Sequence, residues 1–232
     1  KNTCCIFLES VSNPQTEVAD VTQLAKIAHD NGIPLIADTT MIPFTQFDAA
    51  KVGIDFQVVS TTKYVSGGAT SLGGVIIDYG NFPDISKRIK KDSVFNFGAY
   101  MTPHVAYMQT IGLETLQVRY DRQASSALYI ARLLEKTPGV KKVGYPGLES
   151  HPHYQLFKDI YGDKAGAMLT FDLADEAKCF KFINALKMIH RATNLFDNRS
   201  LAIHPASTIF GPLSPEQRKT MDCLLYTSDA AD

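Results

Sequence analysis

The sequence lacks an excess of charge of either sign. Its 232 residues carry 23 lysine and arginine side chains against 24 aspartate and glutamate side chains, a formal net charge of −1. A chain this close to neutrality has no bulk electrostatic attraction for nucleic acid or for anionic lipid surfaces. It also lacks an uninterrupted apolar run long enough to cross a bilayer. The sequence therefore predicts a protein that binds neither nucleic acid nor membrane.

Cysteine is scarce, and its spacing excludes the usual cysteine-built sites. The four cysteines are Cys4, Cys5, Cys179 and Cys223. Adjacent cysteines make a poor disulfide framework, and no C-x-x-C pair is present for zinc. His151 and His153 have no third ligand at a suitable spacing. We expect reduced, mostly buried thiols, a cytoplasmic location and no bound metal.

The composition is that of an ordinary globular protein, with 45% hydrophobic and 20% charged residues. The chain is long enough for one or two domains with a substantial core. In its first third, apolar runs alternate with amphipathic segments. They predict strands over 4–9, 33–37, 56–60 and 75–79, a helix that begins after Asp20 and ends near Gly32, and a short helix near 44–52. This β-α-β rhythm predicts an α/β fold with a mainly parallel sheet and helices on its faces.

The pattern changes after the first third. Apolar positions recur at helical spacing from residue 103 to 136, where Gly112 marks a bend or a domain junction. Strands are predicted over 140–145, 166–173 and 201–204, with a helix over 176–188 between the last two. This part of the sequence predicts a smaller α+β domain.

Polar side chains follow the first three predicted strands. Asn13 comes soon after the first strand, Asp38 follows the second, and the stretch 60–63 follows the third. Because the carboxyl ends of parallel strands meet at one edge of a sheet, we expect these side chains to converge there. Taken alone, Asp38 either caps the next turn or pairs with a cation.

The stretch Ser60-Thr61-Thr62-Lys63 precedes the glycine pairs Gly67-Gly68 and Gly73-Gly74. Hydroxyls and free backbone N–H groups on a turn suit a phosphate. Neither G-x-x-x-x-G-K-[ST] nor G-x-G-x-x-G is present, which argues against a nucleotide-binding domain. Taken alone, a lysine beside hydroxyls is more often a surface residue than a site residue. Together with Asp38 and the hydroxyls, it matches what pyridoxal phosphate needs: a Schiff-base lysine, a carboxylate for the pyridine nitrogen and phosphate donors.

Several segments together resemble the Cys/Met-metabolism family of pyridoxal-phosphate enzymes. They are residues 9–14 (ESVSNP), 37–40 (ADTT), 60–68 (STTKYVSGG), 144–152 (GYPGLESHP) and 194–208 (NLFDNRSLAIHPAST). The likeness extends over nearly all of residues 3–222, in the family's order. It implies an aspartate-aminotransferase-like α/β fold, which is fold type I of these enzymes, with pyridoxal 5′-phosphate as the cofactor.

The resemblance also implies roles for individual residues. Lys63 would form the Schiff base with the cofactor and act as the catalytic residue. Asp38 would bind the pyridine nitrogen, and Ser60 and Thr62 would hold the phosphate. Asn13 would lie near the phenolic oxygen of the cofactor and the substrate.

Within the family, the later segments resemble the sulfhydrylase branch. This implies γ-replacement on O-acetyl-L-homoserine with sulfide or a thiol, giving homocysteine and acetate, with Ser200 on the substrate side of the cleft. The alternatives are a cystathionine or methionine γ-lyase, a cystathionine γ-synthase, or a catalytically inactive fragment. The expected partners are an amino-acid substrate, sulfide and, for the full-length protein, further copies of the chain in a homotetramer.

The sequence departs from the family pattern at two places. Gly68 stands where the family often has histidine, and the late arginine that binds the substrate carboxylate is absent. The chain also begins inside a predicted strand, so we expect a truncated fragment. Residues 1–113 would be the C-terminal portion of the large cofactor-binding domain, residues 114–222 a smaller C-terminal domain, and residues 223–232 a non-native tail.

Overall fold

The computed structural model describes residues 2–220, so Cys223 and the predicted tail over 223–232 lie outside the described residues. The strands are β1 Ile6–Glu9, β2 Leu35–Asp38, β3 Phe56–Ser60, β4 Gly74–Asp78, β5 Lys142–Gly144, β6 Thr170–Asp172, β7 His190–Arg191 and β8 Leu201–Ala202. The α-helices are α1 Val21–Asp30, α2 Pro83–Arg88, α3 Pro103–Glu114, α4 Leu116–Glu135, α5 Tyr154–Tyr161, α6 Glu176–Ala185 and α7 Pro215–Thr220. A π-helical segment, Ile89–Asn96, and a 3₁₀ turn, Pro205–Ser207, complete the regular structure.

The main sheet has the strand order β1-β2-β3-β4, and its first three strands are parallel. The pairing of Glu9 with Asp38 and of Asp38 with Val58 fixes their register. β4 is antiparallel to β3, with Ser60 opposite Gly74. The α/β class and the mainly parallel sheet are therefore confirmed. The carboxyl ends of β2 and β3 and the beginning of β4 meet at one edge.

Helix α1 covers one face of this sheet. The Asp20 side chain caps it by accepting a hydrogen bond from the Gln23 N–H at 2.9 Å. Gly32, at a φ of +67°, lets the chain turn back toward β2. The buried face of α1 carries Val21, Ala25 and Ala28, which pack in one apolar cluster with residues of β2. This is the helix that the sequence predicts.

The prediction of a short helix near 44–52 is wrong. The residues form successive turns, closed by bonds such as the Gln46 N–H to Pro43 O and the Gly53 N–H to Ala50 O. A helix this short is marginal without strong tertiary support, because its nucleation cost is spread over few hydrogen bonds.

The helical pattern from 103 to 136 is divided between α3 and α4, and the break comes at Thr115 rather than at Gly112. Gly112 is buried inside α3, where the ideal position of a Cβ would lie only 1.9 Å from Val65 O. The glycine therefore allows the helix backbone to contact the segment that follows Lys63 directly.

The second half of the chain adds two small sheets, an antiparallel β5–β6 pair and a parallel β7–β8 pair. One apolar cluster joins Tyr64 to Tyr120, Tyr145 and Phe157 of this half. The segment after Lys63 is thus packed against the later part of the chain. Within residues 2–220, no helix is both long and apolar enough to span a membrane.

Candidate active site

The sheet edge at the ends of β2 and β3 carries Asp38 and Ser60. The Thr40 N–H donates to Asp38 Oδ1 at 2.8 Å, and Thr40 Oγ1 accepts from the Ser60 N–H at 2.8 Å. Thr40 therefore joins two of the predicted site residues through one hydrogen bond to each. Of the groups expected to converge, Asp38 and the stretch that begins at Ser60 therefore meet at this edge.

The bond from Thr40 means that Asp38 does cap the turn after β2, but it occupies only one carboxylate oxygen. Across residues 2–220, Asp38 Oδ2 takes part in no hydrogen bond or ion pair. The side chain is half-buried. One oxygen of a partly desolvated carboxylate is therefore available to a cation or an N–H group of another molecule.

The turn that carries Lys63 is tied to the start of β4 through Thr62. Gly73 O accepts from the Thr62 N–H at 3.2 Å, and the Gly73 N–H donates to Thr62 Oγ1 at 2.9 Å. Thr62 Oγ1 also donates to Gly73 O at 3.2 Å. To bind a phosphate, the Thr62 hydroxyl would redirect its proton away from Gly73. The Ser60 hydroxyl has no hydrogen bond to any described residue and needs no such change.

Lys63 is half-buried, and its backbone is fixed at both ends of the turn. Its N–H donates to Ser60 O at 3.2 Å, and its carbonyl accepts from Ser66 Oγ at 3.3 Å. Within the described chain, Lys63 Nζ forms neither an ion pair nor a hydrogen bond. A partly buried lysine usually has such a partner. Because Lys63 has none among the described residues, its amine is available to another molecule.

Tyr64 anchors the Lys63 turn to the later part of the chain. Its ring is 2% exposed and stacks on Phe196, with the ring centroids 3.9 Å apart and the planes 7° from parallel. Its hydroxyl accepts the Ala167 N–H at 2.9 Å. Burial, together with the nearby Tyr120, raises the pKa of Tyr64 well above its usual value, so the phenol stays neutral.

The two glycines after this turn contact a second segment from far along the sequence. Gly67 O accepts a hydrogen bond from Asn198 Nδ2. Gly68 has a φ of +122°, and the ideal position of a Cβ there lies 2.7 Å from Asn198 Nδ2. A side chain at position 68 would therefore require the Asn198 side chain to move.

The segment that presents Asn198 is ordered around one carboxylate. Asp197 is 8% exposed, and Arg199 binds both its oxygens, with Nε to Oδ1 at 2.8 Å and Nη2 to Oδ2 at 2.9 Å. Asn194 Nδ2 donates to Oδ2 at 2.8 Å. These bonds, led by those from Arg199, hold the pKa of Asp197 well below its usual range.

The other two predicted site residues are less closely tied to the Lys63 turn. Ser200 is exposed, and its carbonyl accepts the His190 N–H at 2.9 Å. Asn13 is exposed after β1, and its N–H donates to Glu9 Oε2 at 3.3 Å. Neither side chain is hydrogen-bonded to Asp38 or Lys63. Their roles toward substrate and cofactor stay predictions.

The histidines and cysteines have structural surroundings. The His151 ring is 3.3 Å from Thr16 Oγ1, and His153 Nδ1 accepts the Val18 N–H at 2.9 Å. Among residues 2–220, no group of three or more His, Cys, Asp or Glu side chains is arranged to hold a metal ion. The cysteines of this part of the chain, Cys4, Cys5 and Cys179, are free thiols.

A cavity of about 530 Å³ lies between residues 14–17 and the β5–β6 pair. His151, His153 and Lys142 are among the residues that line it. None of the predicted site residues lines this cavity. The predicted site lies at the sheet edge and does not share this cavity.

The comparison with known proteins identifies the family. The model of the Cys/Met metabolism PLP-dependent enzymes matches residues 1–225. The chain belongs to this family. Pyridoxal 5′-phosphate is therefore its cofactor, as the sequence predicts.

Individual relatives differ in the reactions that their names state. The chain is 36% identical to an O-succinylhomoserine sulfhydrylase of Pseudomonas aeruginosa, with 94% of the chain and 53% of the relative aligned. It is 35% identical to an L-methionine gamma-lyase of Fusobacterium nucleatum, with 94% and 55% aligned. The chain therefore spans about half the length of the curated relatives that it matches.

A solved structure supports both the fold and the cofactor. A Campylobacter jejuni protein that contains N′-pyridoxyl-lysine-5′-monophosphate superposes with a TM-score of 0.89 and 32% identity, over 94% of this chain and 59% of that protein. This likeness confirms the predicted aspartate-aminotransferase-like fold. It also shows that a lysine of a closely similar fold binds the cofactor covalently.

The residues at the sheet edge fit this cofactor by their chemistry. Lys63 Nζ is an unpaired amine, Asp38 Oδ2 an unpaired carboxylate oxygen and Ser60 Oγ an unpaired hydroxyl, in each case with respect to the described residues. They correspond to an aldehyde-binding group, a partner for a protonated ring nitrogen and a phosphate donor. The assignment of these three roles stays a prediction.

Sequence reasoning gave no role to three residues that shape this edge. Thr40 closes the segment 37–40 (ADTT), so its position two residues after Asp38 marks it in the sequence. Tyr64 directly follows Lys63, but the sequence offers no sign that Phe196 is its partner. The sequence alone does not connect Asn198 with Gly68. Only the structure shows that the two residues lie against each other.

Proposed function

We propose that this chain is the cofactor-binding part of an enzyme that replaces the γ-substituent of O-acetyl-L-homoserine with sulfide, giving homocysteine and acetate. The observation that carries the proposal is that one sheet edge holds both a Lys63 amine without a partner among the described residues and an Asp38 carboxylate with one free oxygen, in a chain of this family. The sulfhydrylase-like segment over 194–208 supports the choice of reaction.

Lys63 is the proposed catalytic residue. Pyridoxal phosphate, when bound, supplies an electron sink for negative charge that develops on the substrate's α-carbon. Lys63 would hold the cofactor through Nζ. Once released as a free amine, Lys63 would accept the α-proton of the substrate and carry protons between its carbon atoms.

The neighbouring residues would hold the cofactor in place. Asp38, through the oxygen that Thr40 leaves free, would keep a proton on the ring nitrogen. Ser60 and Thr62 would donate to the phosphate, with Thr62 giving up its bond to Gly73. Asn13 would lie beside the ring and the substrate, and Ser200 on the substrate side.

The relatives support a sulfur-transfer or γ-elimination enzyme more strongly than they support one reaction. The sulfhydrylase and the γ-lyase are 36% and 35% identical to the chain, so identity does not separate them. The sulfhydrylase is also named for an O-succinyl rather than an O-acetyl substrate. The γ-lyase is therefore the second candidate, because it would use the same lysine and carboxylate.

We further propose that the complete protein is a cytoplasmic homotetramer and that residues 1–232 alone are inactive. Free thiols at Cys4, Cys5 and Cys179 support the location. Exposed apolar side chains near the π-helical segment, at 86% for Phe95 and 85% for Phe97, support association with another surface.

The first experiment maps the cofactor lysine in the complete protein. We expect borohydride reduction followed by peptide mapping to place the pyridoxyl group on Lys63, and Lys63→Ala to abolish labelling. Lys51→Ala is the matched control, because Lys51 is exposed and pairs with the likewise exposed Asp48 at 3.4 Å. A pyridoxyl group on any other lysine would reject the assignment.

The second experiment distinguishes the reactions. We expect homocysteine from O-acetylhomoserine and sulfide to form at least about a hundredfold faster than 2-oxobutyrate from methionine or cystathionine, which corresponds to about 3 kcal/mol between transition states. Faster 2-oxobutyrate formation would replace the proposal with a γ-lyase. A strong preference for O-succinylhomoserine would correct the acyl group alone.

A further inference from the structure

The segment over residues 194–200, here termed the strap, crosses the Lys63 turn from the distant end of the chain. Its Phe196 is a bulky residue at a φ of +63°, in the left-handed region. A bulky non-glycine residue adopts this conformation only where the surrounding structure holds it. The Phe196 ring stacks on Tyr64, with the centroids 3.9 Å apart.

A second contact fastens the strap to the other side of the same turn. Asn198 donates from Nδ2 to Gly67 O. The approach depends on Gly68, since a Cβ would meet Asn198 Cγ at 3.3 Å as well as Nδ2 at 2.7 Å. The strap therefore contacts the chain both directly after Lys63, at Tyr64, and shortly beyond it, at Gly67.

The strap is held by hydrogen bonds within itself and to helix α4. Arg199 and Asn194 both bind the Asp197 carboxylate, as described above, and Gln123 Nε2 of α4 donates to Asp197 O at 2.9 Å. The hydrogen bonds at Asp197, which lies between Phe196 and Asn198, therefore oppose a displacement of either residue. A rigid attachment can transmit a position, whereas a flexible loop cannot.

We infer that the strap sets the position of the Lys63 amine, and that Phe196 and Asn198 are positioning residues that act through Tyr64 and Gly67. Lys63 lies between two attachments: the bonds from Thr62 to Gly73 on the sheet side and the strap on the other side. The strap also carries Ser200, so it links the proposed substrate side to the proposed cofactor lysine. The inference rests on the proposed function for the role of Lys63.

The test uses the complete protein and two readouts. In the cofactor-free protein, the Lys63 amine is titrated by NMR after reductive methylation with labelled formaldehyde. In the loaded protein, the absorbance of the lysine-bound cofactor is titrated with pH, and cofactor affinity is measured by equilibrium titration. The first readout does not depend on cofactor binding or on which reaction is catalysed.

Asn198→Ala is the main variant, because Asn198 is exposed and its loss leaves no buried gap. We expect a shifted Lys63 titration in both forms and about fivefold weaker cofactor binding, the effect of one lost hydrogen bond. Asn184→Ala is the matched control, because Asn184 lies on α6 and accepts its bond from Arg191, at 2.7 Å, rather than from the Lys63 turn. Equal titrations for both variants would overturn the inference.

A double-mutant cycle tests the contact itself. Gly68→Ala alone should perturb the Lys63 titration through its collision with Asn198 and through its positive φ. In the Asn198→Gly background the collision is absent, so Gly68→Ala should have a smaller effect, while the φ penalty cancels in the cycle. Additive effects would overturn the inference. A wild-type protein without lysine-bound cofactor would reject the proposed function, and the cofactor-free titration would still decide the role of the strap.

Discussion

Two aspartates at opposite ends of the parallel sheet have very different surroundings. Asp55, just before β3, is fully buried and uses both oxygens. Oδ2 binds His29 Nε2 at 2.9 Å and accepts the Leu35 N–H at 2.8 Å, and Oδ1 accepts from Asn81 Nδ2 at 2.8 Å. Asp38, at the end of β2, has only the Thr40 N–H on one oxygen.

The difference shows that the Asp55 carboxylate stabilises the fold, whereas the Asp38 carboxylate keeps an oxygen that can bind another molecule. Protein atoms satisfy Asp55, so its removal leaves unpaired donors inside the protein. Asp38 is half-buried and half-satisfied, and Lys63 on the neighbouring turn is similarly unpartnered within the described chain. Unsatisfied polar groups that gather at one sheet edge indicate that a bound molecule completes them.

The largest expected effect is on catalysis, from Asp38→Asn in the complete enzyme. An amide cannot hold a proton on the ring nitrogen, and we expect turnover to fall about 10²- to 10³-fold, equivalent to about 3–4 kcal/mol in the transition state. The free energy of unfolding should change by less than about 1 kcal/mol. Steady-state kinetics and urea denaturation measure the two quantities.

Ser200→Ala should reduce turnover far less than Asp38→Asn, and Asp48→Asn, an exposed change, should leave it unaltered. Equal and mild effects of the substitutions at Asp38 and Ser200 would show that Asp38 acts only as the cap of its turn.

The next effect is on stability, from Asp55→Asn. The substituted amide would point an N–H at donors that need an acceptor, and we expect the free energy of unfolding to fall by about 2–4 kcal/mol. Catalysis per folded molecule should be retained. Asn81→Ala, which removes a single bond to Asp55, should cost about 1 kcal/mol. A lower turnover with an unchanged free energy of unfolding would contradict the structural role that we assign to Asp55.

The smallest expected effect depends on pH and concerns His151, which lies at neither end of the sheet. Burial, then His153 and Lys142, lower its pKa to about 4. The unfolded chain binds the proton near pH 6.5 and the folded chain only near pH 4, so stability is lost as pH falls between these values. Because the ring is partly exposed, we expect about 1–2 kcal/mol rather than the full linkage value.

His151→Gln should flatten the pH dependence of the unfolding free energy between pH 6.5 and about 4. His190→Gln is the control, because His190 is exposed in β7. Identical pH profiles for the wild type and His151→Gln would contradict the expected linkage.

Much of the sheet edge was predictable because its cause is local. Apolar runs ending in polar residues placed β2, β3 and the turn at Lys63, and parallel pairing followed from the β-α-β rhythm. The prediction of a helix near 44–52 was wrong because a few apolar residues in helical spacing do not overcome the cost of helix nucleation. Gly112 suggested a bend or a domain junction, but the break comes at Thr115, and Gly112 instead allows close contact with Val65.

The strap was beyond prediction for a different reason. Asn198 and Gly67 are 131 positions apart, and Ala167 and Tyr64 are 103 apart. One sequence contains no pattern that pairs such residues, since their contact depends on how the two halves of the chain pack. The family resemblance supplied candidate residues at both places, but not the contacts between them.

The tight packing at Gly112 fixes the distance between helix α3 and the lysine turn, and this distance can be compared between the chain and its relatives. With a Cβ position 1.9 Å from Val65 O and 2.9 Å from Ser66 C, no side chain fits between helix α3 and the lysine turn. A relative that has alanine or a larger residue at this place must therefore have moved either the helix or the turn. The residue at position 112 thus indicates, from sequence alone, whether a relative's lysine is presented from the same place.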